Sequence, residues 1–324
     1  MFKAIEKLKG FTMKVLVTGS SGFLGSALVK HLECDTTFQV VKTARKTTVK
    51  NEDKDQLILE LDLAHLDSKI PDLSGTDTIV HLAGKAHDIS NIDETASQEY
   101  FTINAHAVLL LANAAVESGV KRFVFLSSIK VNGDQTSPGQ PFTPKSAPKP
   151  IGAYAKSKLA AEEHLLNLAR ETGLEVVIIR PPLVYGPGAK GNLEKLSNLI
   201  SKRMPLPIGN ISCNRRSMVG IDNLVSLITT CIIKPEAKNK LFLVSDNEDI
   251  STKELANYLG LVVGKKPLMF NVPTALISFG ASILGKRQAI NKLLGSLQVD
   301  ISETCETLAW YPPYTVKQGM KKKG

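Results

Sequence analysis

A short β-branched run at residues 14–18 (KVLVT) breaks into a glycine-punctuated octapeptide, TGSSGFLG at residues 18–25, and then into an amphipathic stretch reaching about Leu32. The same alternation continues to residue 180. Strand-like runs recur at 38–43, 56–61, 78–82, 122–127 and 176–180, and helical patterns cover 97–118, stopped by Gly119, and 154–172. The strand runs are continuously apolar, the pattern of strands covered on both faces. Helices between such strands impose a parallel order. The expectation is an α/β chain with a doubly wound parallel sheet over residues 1–180.

After Pro181 the pattern becomes irregular. Helices are expected at 193–202, 222–233, 252–259 and 273–284, and strands at 241–244 and 298–299; Ser251 and Glu254 have the spacing of a capping box. Residues 181–324 thus read mainly as a smaller mixed α/β lobe, some of whose segments return to the first domain. Such a lobe would close over the carboxyl edge of the sheet, where open parallel sheets bind ligands.

Composition narrows the class. With 324 residues, 43% hydrophobic and 22% charged, the chain is neither disordered nor collagenous nor a coiled coil. The net charge of +9 is concentrated partly at the ends, in Lys3, Lys7 and Lys9 and in residues 321–323. A solvated terminus is the preferred reading over a tail for nucleic acid or membrane, because the cations do not interleave with aromatics. Cys34, Cys213, Cys231 and Cys305 form no CxxC pair, which argues against a zinc site or a disulfide framework and for a reducing compartment. The opening MFKAIEKLKGF lacks a signal-peptide apolar run, and Met13 offers a second start. The longest apolar stretch, 272–284, contains Pro273 and Gly280 and is too short to span a bilayer. A cytoplasmic protein without stable membrane insertion is expected.

The octapeptide carries the first functional signal. Gly19, Gly22 and Gly25, with Ser21, Phe23 and Leu24 between them, sit between a strand and a helix. Glycines there allow a tight turn, close approach of a pyrophosphate and close helix–strand packing, while the helix N-terminus offers free N–H groups. That predicts a dinucleotide. The end of the second strand, residues 40–46, offers no acid for a ribose hydroxyl but does offer Arg45 and Lys46. The fork of Arg45 suits a 2′-phosphate, so NADP(H) is favoured, with NAD(H) open. Asp62 and Leu63, after the third strand, are placed for the adenine edge.

Tyr154 and Lys158 are four residues apart on a predicted helix and share one face. An ammonium beside a phenol is expected to lower the phenol's pKa toward neutrality, as acid/base work on an alcohol–carbonyl pair requires. Ser128, at the end of the fifth strand, supplies a hydroxyl for the reacting oxygen.

TGSSGFLG, HLAG at 81–84, Asn104, SSIKVNG at 127–133, YAKSK at 154–158 and RPPLVYGPG at 180–188 occur in the order that resembles the extended short-chain dehydrogenase/reductases acting on nucleotide sugars. The likeness runs to the ETLAWYPP segment near Trp310. It implies a Rossmann-type fold, Ser128, Tyr154 and Lys158 as catalytic triad, and Leu82, Ala83, Gly84 and Asn104 around the cofactor beside the glycine loop. It also implies a UDP-sugar substrate contacted by Lys85, Ser128, Asn192 and Arg215, and a homodimer through the helices at 97–118 and 154–172. A second phosphate arginine has no residue in register, though Arg287 and Lys292 are near. His81 reads as a strand-end histidine with satisfied hydrogen bonds, His87 as loop, and Asn104 as a bridge between backbones.

Within that family, 4,6-dehydratases carry an Asp-Glu pair after the catalytic hydroxyl, where this chain has Ile129 and Lys130. Dehydration is therefore excluded. Val131-Asn132-Gly133 replaces the family's usual VYG, which separates the chain from UDP-galactose 4-epimerase. The motifs look most like those of bacterial surface-polysaccharide enzymes that reduce UDP-4-keto-6-deoxy-GlcNAc to UDP-N-acetylquinovosamine. The expectation is such a 4-keto reductase. The alternative is a UDP-hexose 4-epimerase with tightly held NAD, and a more remote one is a non-catalytic dinucleotide-binding module.

Overall fold

The structure is a computed structural model that describes residues 12–45, 57–66, 72–86, 94–137, 139–189, 191–273, 276 and 293–322. It divides into two compact units: residues up to 131 with 148–180 and 227–242, and residues 132–147 with 181–226 and 243 onward.

The first unit is built on a sheet of β1 (Met13–Thr18), β2 (Phe38–Ala44), β3 (Leu57–Glu60), β4 (Thr78–His81), β5 (Arg122–Leu126), β6 (Glu175–Arg180) and β9 (Lys240–Leu243), in the order 3-2-1-4-5-6-9. The pairs among β1 to β6 are parallel. The order reverses between β1 and β4, so the crevice at their carboxyl ends is where a doubly wound sheet binds its ligand. Val15, Leu16, Val17, Ile79, Val80, Phe123 and Phe125 are wholly buried, as their unbroken apolar sequence requires. Against the Leu16, Ile79, Phe123 and Phe125 face pack Val108 and Leu111 of α3 (Ala107–Glu117) and Leu165 of α4 (Gly152–Thr172). Upstream, α1 (Phe23–Glu33) buries Leu24, Leu28, Val29 and Leu32.

The long helix expected at 97–118 has three parts: α2 (Glu94–Phe101), a π-helical turn (Thr102–His106), and α3. The extra residue of such a turn shifts the helix phase, and here the turn holds Asn104, whose side chain is fully buried. Gly119, at φ +76°, and Gly173, at φ +78°, take the left-handed conformation that ends the helices before them.

Residues 227–242 return to the first unit because Arg122 holds them there. Its Nη1 donates to the carbonyls of Cys231, Ile232 and Lys234 at 2.8–2.9 Å, capping the end of α6 (Ile221–Ile233). Residues 132–147 depart from a division drawn at residue 180. Within the second unit the N–H groups of Thr136 and Phe142 donate to the carbonyls of Ser296 and Gln298 at 2.9 Å.

The second unit also contains a two-stranded parallel sheet, β7 (Leu183–Tyr185) with β8 (Met218–Gly220), together with α5 (Asn192–Ser201), α7 (Thr252–Val263), α8 (Ser302–Leu308) and α9 (Val316–Lys321). The capping box at the start of α7 is present, with the Glu254 N–H donating to Ser251 Oγ at 3.1 Å and the Ser251 N–H to Glu254 Oε2 at 2.7 Å. The expected strand at 298–299 is a single bridge between Val299 and Phe142. Most of the helix expected at 273–284 lies outside the described residues. Among the described residues, no helix is long and apolar enough to cross a membrane, and no group of His, Cys, Asp and Glu could hold a metal ion.

Candidate active site

The glycine loop follows β1 at the reversal point of the sheet. Gly19 takes φ +66°, and a Cβ on it would lie 2.9 Å from the Ala83 backbone. One on Gly25 would lie 2.0 Å from the Gly19 carbonyl oxygen. The loop is thus pressed against the Leu82–Ala83 segment on one side and the first turn of α1 on the other. Gly22 caps α1 in extended conformation without a side-chain hydrogen bond, and no acid stands in the first turn. The first N–H groups of the helix are therefore available to an anion. Ser21 is exposed, Phe23 half-buried, and Leu24 buried in the core, so Leu24 offers backbone alone. Two residues that spacing did not single out pin the loop. Ser20 Oγ donates to the Thr43 carbonyl at 2.9 Å, and Thr18 Oγ1 accepts the Ala83 N–H at 3.2 Å. These features fit a dinucleotide.

Where β2 ends, Arg45 is exposed. The neighbouring cation Lys42 is committed to Glu33 at 2.8 Å, and Glu60 stands level with Ala44 on β3. Lys46 lies outside the described residues. Asp62 accepts the Ala64 N–H at 3.1 Å, and it and Leu63 are half-buried. The edge is therefore mixed in charge, not uniformly cationic.

Asn104 performs the bridging expected of it. Its Nδ2 donates to the Lys85 carbonyl at 3.0 Å and its Oδ1 accepts the Lys85 N–H at 2.9 Å. Nδ2 also reaches Ser157 Oγ on α4 at 3.2 Å. The π-helical turn thereby holds the segment after β4 against the helix that carries the tyrosine. Gly84 completes the contact: a Cβ there would lie 2.9 Å from Asn104 Oδ1 and 3.5 Å from Lys158 Nζ. The Lys85 ammonium pairs with Glu99 and sits 5.6 Å from the centroid of the Tyr100 ring. Tyr100, another residue missed in the sequence, packs edge-on to Tyr154 at 6.1 Å.

Ser128 and Tyr154 meet, and Lys158 stands one helical turn beyond Tyr154 on α4. The hydroxyls of Ser128 and Tyr154 hydrogen-bond, and Lys158 Nζ donates to the Leu126 carbonyl at 2.9 Å while lying 4.6 Å from the Phe125 ring centroid. Burial pushes the Lys158 pKa down to about 8, with Glu162 acting in the opposite sense. The expectation of a lowered tyrosine pKa is corrected here. Burial raises the Tyr154 phenol, and the hydrogen bond from Ser128 opposes that only in part. The lysine ammonium is turned to the Leu126 carbonyl of β5, and desolvation is the dominant influence on the phenol.

His81 is likewise corrected. Its Nδ1 lies 3.0 Å from Thr18 Oγ1, but Nε2 has no hydrogen-bond partner among the described residues. The ring stacks on Phe123 and Phe125 at 5.9 and 6.0 Å, and burial pulls its pKa down to about 3, so it is neutral.

Asn192 and Arg215 belong to the second unit, Asn192 at the exposed start of α5. The Arg215 guanidinium donates to the carbonyls of Ser212 and Asn214 at 3.0 and 3.1 Å. Arg216 is the more enclosed of the two, with Nη1 3.0 Å from the Gly295 carbonyl. His87, Arg287 and Lys292 lie outside the described residues.

Residues 15–244 match the model of the NAD dependent epimerase/dehydratase family. Across 310 residues the chain is 43% identical to a UDP-glucose 4-epimerase of Vibrio cholerae, covering 95% of this chain and 93% of that one. Among solved structures, the UDP-glucose 4-epimerase of Thermotoga maritima with UDP-glucose superposes with a TM-score of 0.73 at 22% identity, covering 95% and 96% of the two chains. RMD from Pseudomonas aeruginosa complexed with NADPH does so with a TM-score of 0.73 at 21% identity, covering 96% and 97%. With a family model matched over residues 15–244 and a relative 43% identical over 95% of its length, the chain belongs to the NAD dependent epimerase/dehydratase family and is an enzyme of the nucleotide-sugar epimerase/dehydratase type.

Proposed function

We propose that this enzyme is a cytoplasmic UDP-hexose 4-epimerase with a resident NAD. The observation that carries the reading is the 43% identity, over 95% of the chain, to a protein named UDP-glucose 4-epimerase. The sequence alone ranked 4-keto reduction first, on the strength of cations at the end of β2. Of the two cations behind that ranking, Arg45 is exposed and Lys46 lies outside the described residues, while Glu60 of β3 stands level with Ala44, so the strand end carries an acid as well.

In this reading the first turn of α1 and the glycine loop hold the pyrophosphate, and Asp62 and Leu63 face the adenosine. When bound, the dinucleotide supplies hydride transfer at C4 of the sugar. Tyr154 takes the proton of the 4-hydroxyl and returns it, and Ser128 hydrogen-bonds the same oxygen. Lys158, one helical turn from Tyr154, supplies positive charge while protonated. A phenol raised by burial needs that charge most when it ionises, which is why the pair must move together. Asn192 and Arg215 are assigned to the UDP moiety, and two copies are assigned to pair through α2–α3 and α4.

Purified protein given UDP-glucose without added cofactor should form UDP-galactose, and Tyr154→Phe should cut turnover by about 10³-fold or more, as loss of an acid/base group does. Unchanged turnover in that variant would remove the triad assignment. The second reading, reduction of a UDP-4-keto-6-deoxy-N-acetylhexosamine in surface-polysaccharide synthesis, is favoured by exposed Arg45 and by Asn132 in place of a tyrosine. It predicts no epimerisation and consumption of added NADPH.

A further inference from the structure

A buried polar cluster lies directly behind the catalytic pair, and the roles assigned above leave it unused. Glu162 is one helical turn beyond Lys158 on α4. Its carboxylate accepts from Ser127 Oγ and, in bidentate fashion, from Arg180, through Nε at 2.9 Å and through Nη2. Arg180 ends β6, and the Ser127 N–H donates to the Ile179 carbonyl at 2.8 Å. The side chains of the ion pair are 4% and 2% exposed. Burying such a pair costs desolvation that its attraction barely returns, so stability alone gives a weak reason for it.

Its placement gives a better one. Lys158 grips the end of β5 at the Leu126 carbonyl, and Glu162 grips it one residue later at the Ser127 hydroxyl. The next residue is Ser128. We propose that Glu162 is a positioning residue for the reaction: with Lys158 it clamps the end of β5 to α4, setting Ser128 against Tyr154, and it provides the negative charge that keeps the Lys158 ammonium compensated. This rests on the triad reading given above. The groups facing Lys158 are Tyr154 and Glu162 from its own helix, the Leu126 carbonyl and Phe125 ring from β5, neutral His81 and the Gly84 backbone from the β4 side, and Arg180 of β6 behind Glu162. Glu162 is the acid among them, and it acts against the burial that disfavours the ammonium. Removing the carboxylate also uncovers the charge of Arg180, which pushes the same way.

The test is the pH profile of kcat for Glu162→Gln, Glu162→Asp, Ser127→Ala and Tyr154→Phe in the full chain. Glu162→Gln should lower kcat at least tenfold and move the basic limb down by about one pH unit, the effect of losing a charge one helical turn away. Glu162→Asp should restore the limb. A Glu162→Gln protein whose basic limb stays at the wild-type pH overturns the proposal, because a merely structural role lowers activity without moving that limb. If Glu162→Gln does not fold, Ser127→Ala, which leaves the ion pair intact, should still lose several-fold in kcat at unchanged KM; full kcat overturns the clamp. Tyr154→Phe separates the failures. An active Tyr154→Phe sinks the triad reading, whereas an inactive one beside an unmoved Glu162→Gln limb sinks only this proposal.

Discussion

The glycine loop makes a graded prediction, because Gly22 and Gly25 face the same Gly19 carbonyl oxygen at very different distances. At Gly25 a methyl would lie 2.0 Å from the Gly19 carbonyl oxygen, 2.8 Å from its carbon and 2.9 Å from Ser20 Cα, all backbone atoms. To reach even 3 Å the loop must recede from α1 by about an ångström, and Gly19 is already pressed on Ala83. Overpacking of that kind costs about 1–3 kcal/mol, against which the helix propensity of alanine returns about 1 kcal/mol. The larger effect is on the ligand. An N–H to pyrophosphate hydrogen bond is worth about 1.5–3 kcal/mol, so displacing the loop enough to lose one such bond weakens dinucleotide binding by about 10- to 100-fold. At Gly22 the nearest atom is the Gly19 oxygen at 3.1 Å, a contact that yields with a shift of tenths of an ångström. Gly25→Ala should therefore bind NAD(H) at least tenfold more weakly than Gly22→Ala when both are titrated calorimetrically, with melting curves confirming that both are folded. Equal affinity for the two variants, both at the wild-type level, would refute the claim that this loop carries the pyrophosphate.

Other outcomes follow from the same geometry. Asn104→Ala removes three hydrogen bonds that hold Lys85 and α4 together, and should lower kcat tenfold or more and lower the melting temperature as well; wild-type kcat would contradict the bridging role. With the Lys158 pKa lowered to about 8 by burial, activity that needs the ammonium should fall as pH rises through about 8, and a flat profile to pH 10 would contradict that. Because the folded protein then binds fewer protons than the unfolded chain between about 8 and the ordinary lysine value, this residue's contribution to stability rises with pH across that window. Arg122→Ala leaves three carbonyls at the end of α6 without their cation and Glu175 with Lys238 only, and should cost about 3 kcal/mol in urea unfolding, as breaking a largely buried charge network does; a loss under 1 kcal/mol would show the cap to be dispensable. Ser251→Ala, by contrast, should cost only about 1 kcal/mol, the worth of one N-cap.

The sheet and the glycine loop were legible because both obey local rules. Unbroken apolar strands must be covered on two faces, and three glycines between a strand and a helix have one common use. The capping box of α7 was legible for the same reason. What was not legible depends on long-range packing. The π-helical turn that buries Asn104 leaves no mark in a helical periodicity, and β7 and β8, at three residues each, are too short to carry a pattern. The spacing of Tyr154 and Lys158 gave their shared face but not their electrostatics, since burial, the largest influence on each, raises the phenol and lowers the ammonium. The cationic end of β2 looked purer in sequence than it is, because Glu33 and Glu60 come from other elements. Glu162 is invisible to spacing rules altogether. Its meaning appears only when Ser127 and Arg180 arrive from two different strands.

The most direct test of the central claim is to denature the purified protein and measure the dinucleotide it releases. A UDP-hexose 4-epimerase that recycles its hydride should release about one NAD per chain, with no added cofactor needed for turnover. Protein that releases none, and then binds NADPH more tightly than NADH, would contradict the epimerase reading and leave a 4-keto reductase with Arg45 at its 2′-phosphate.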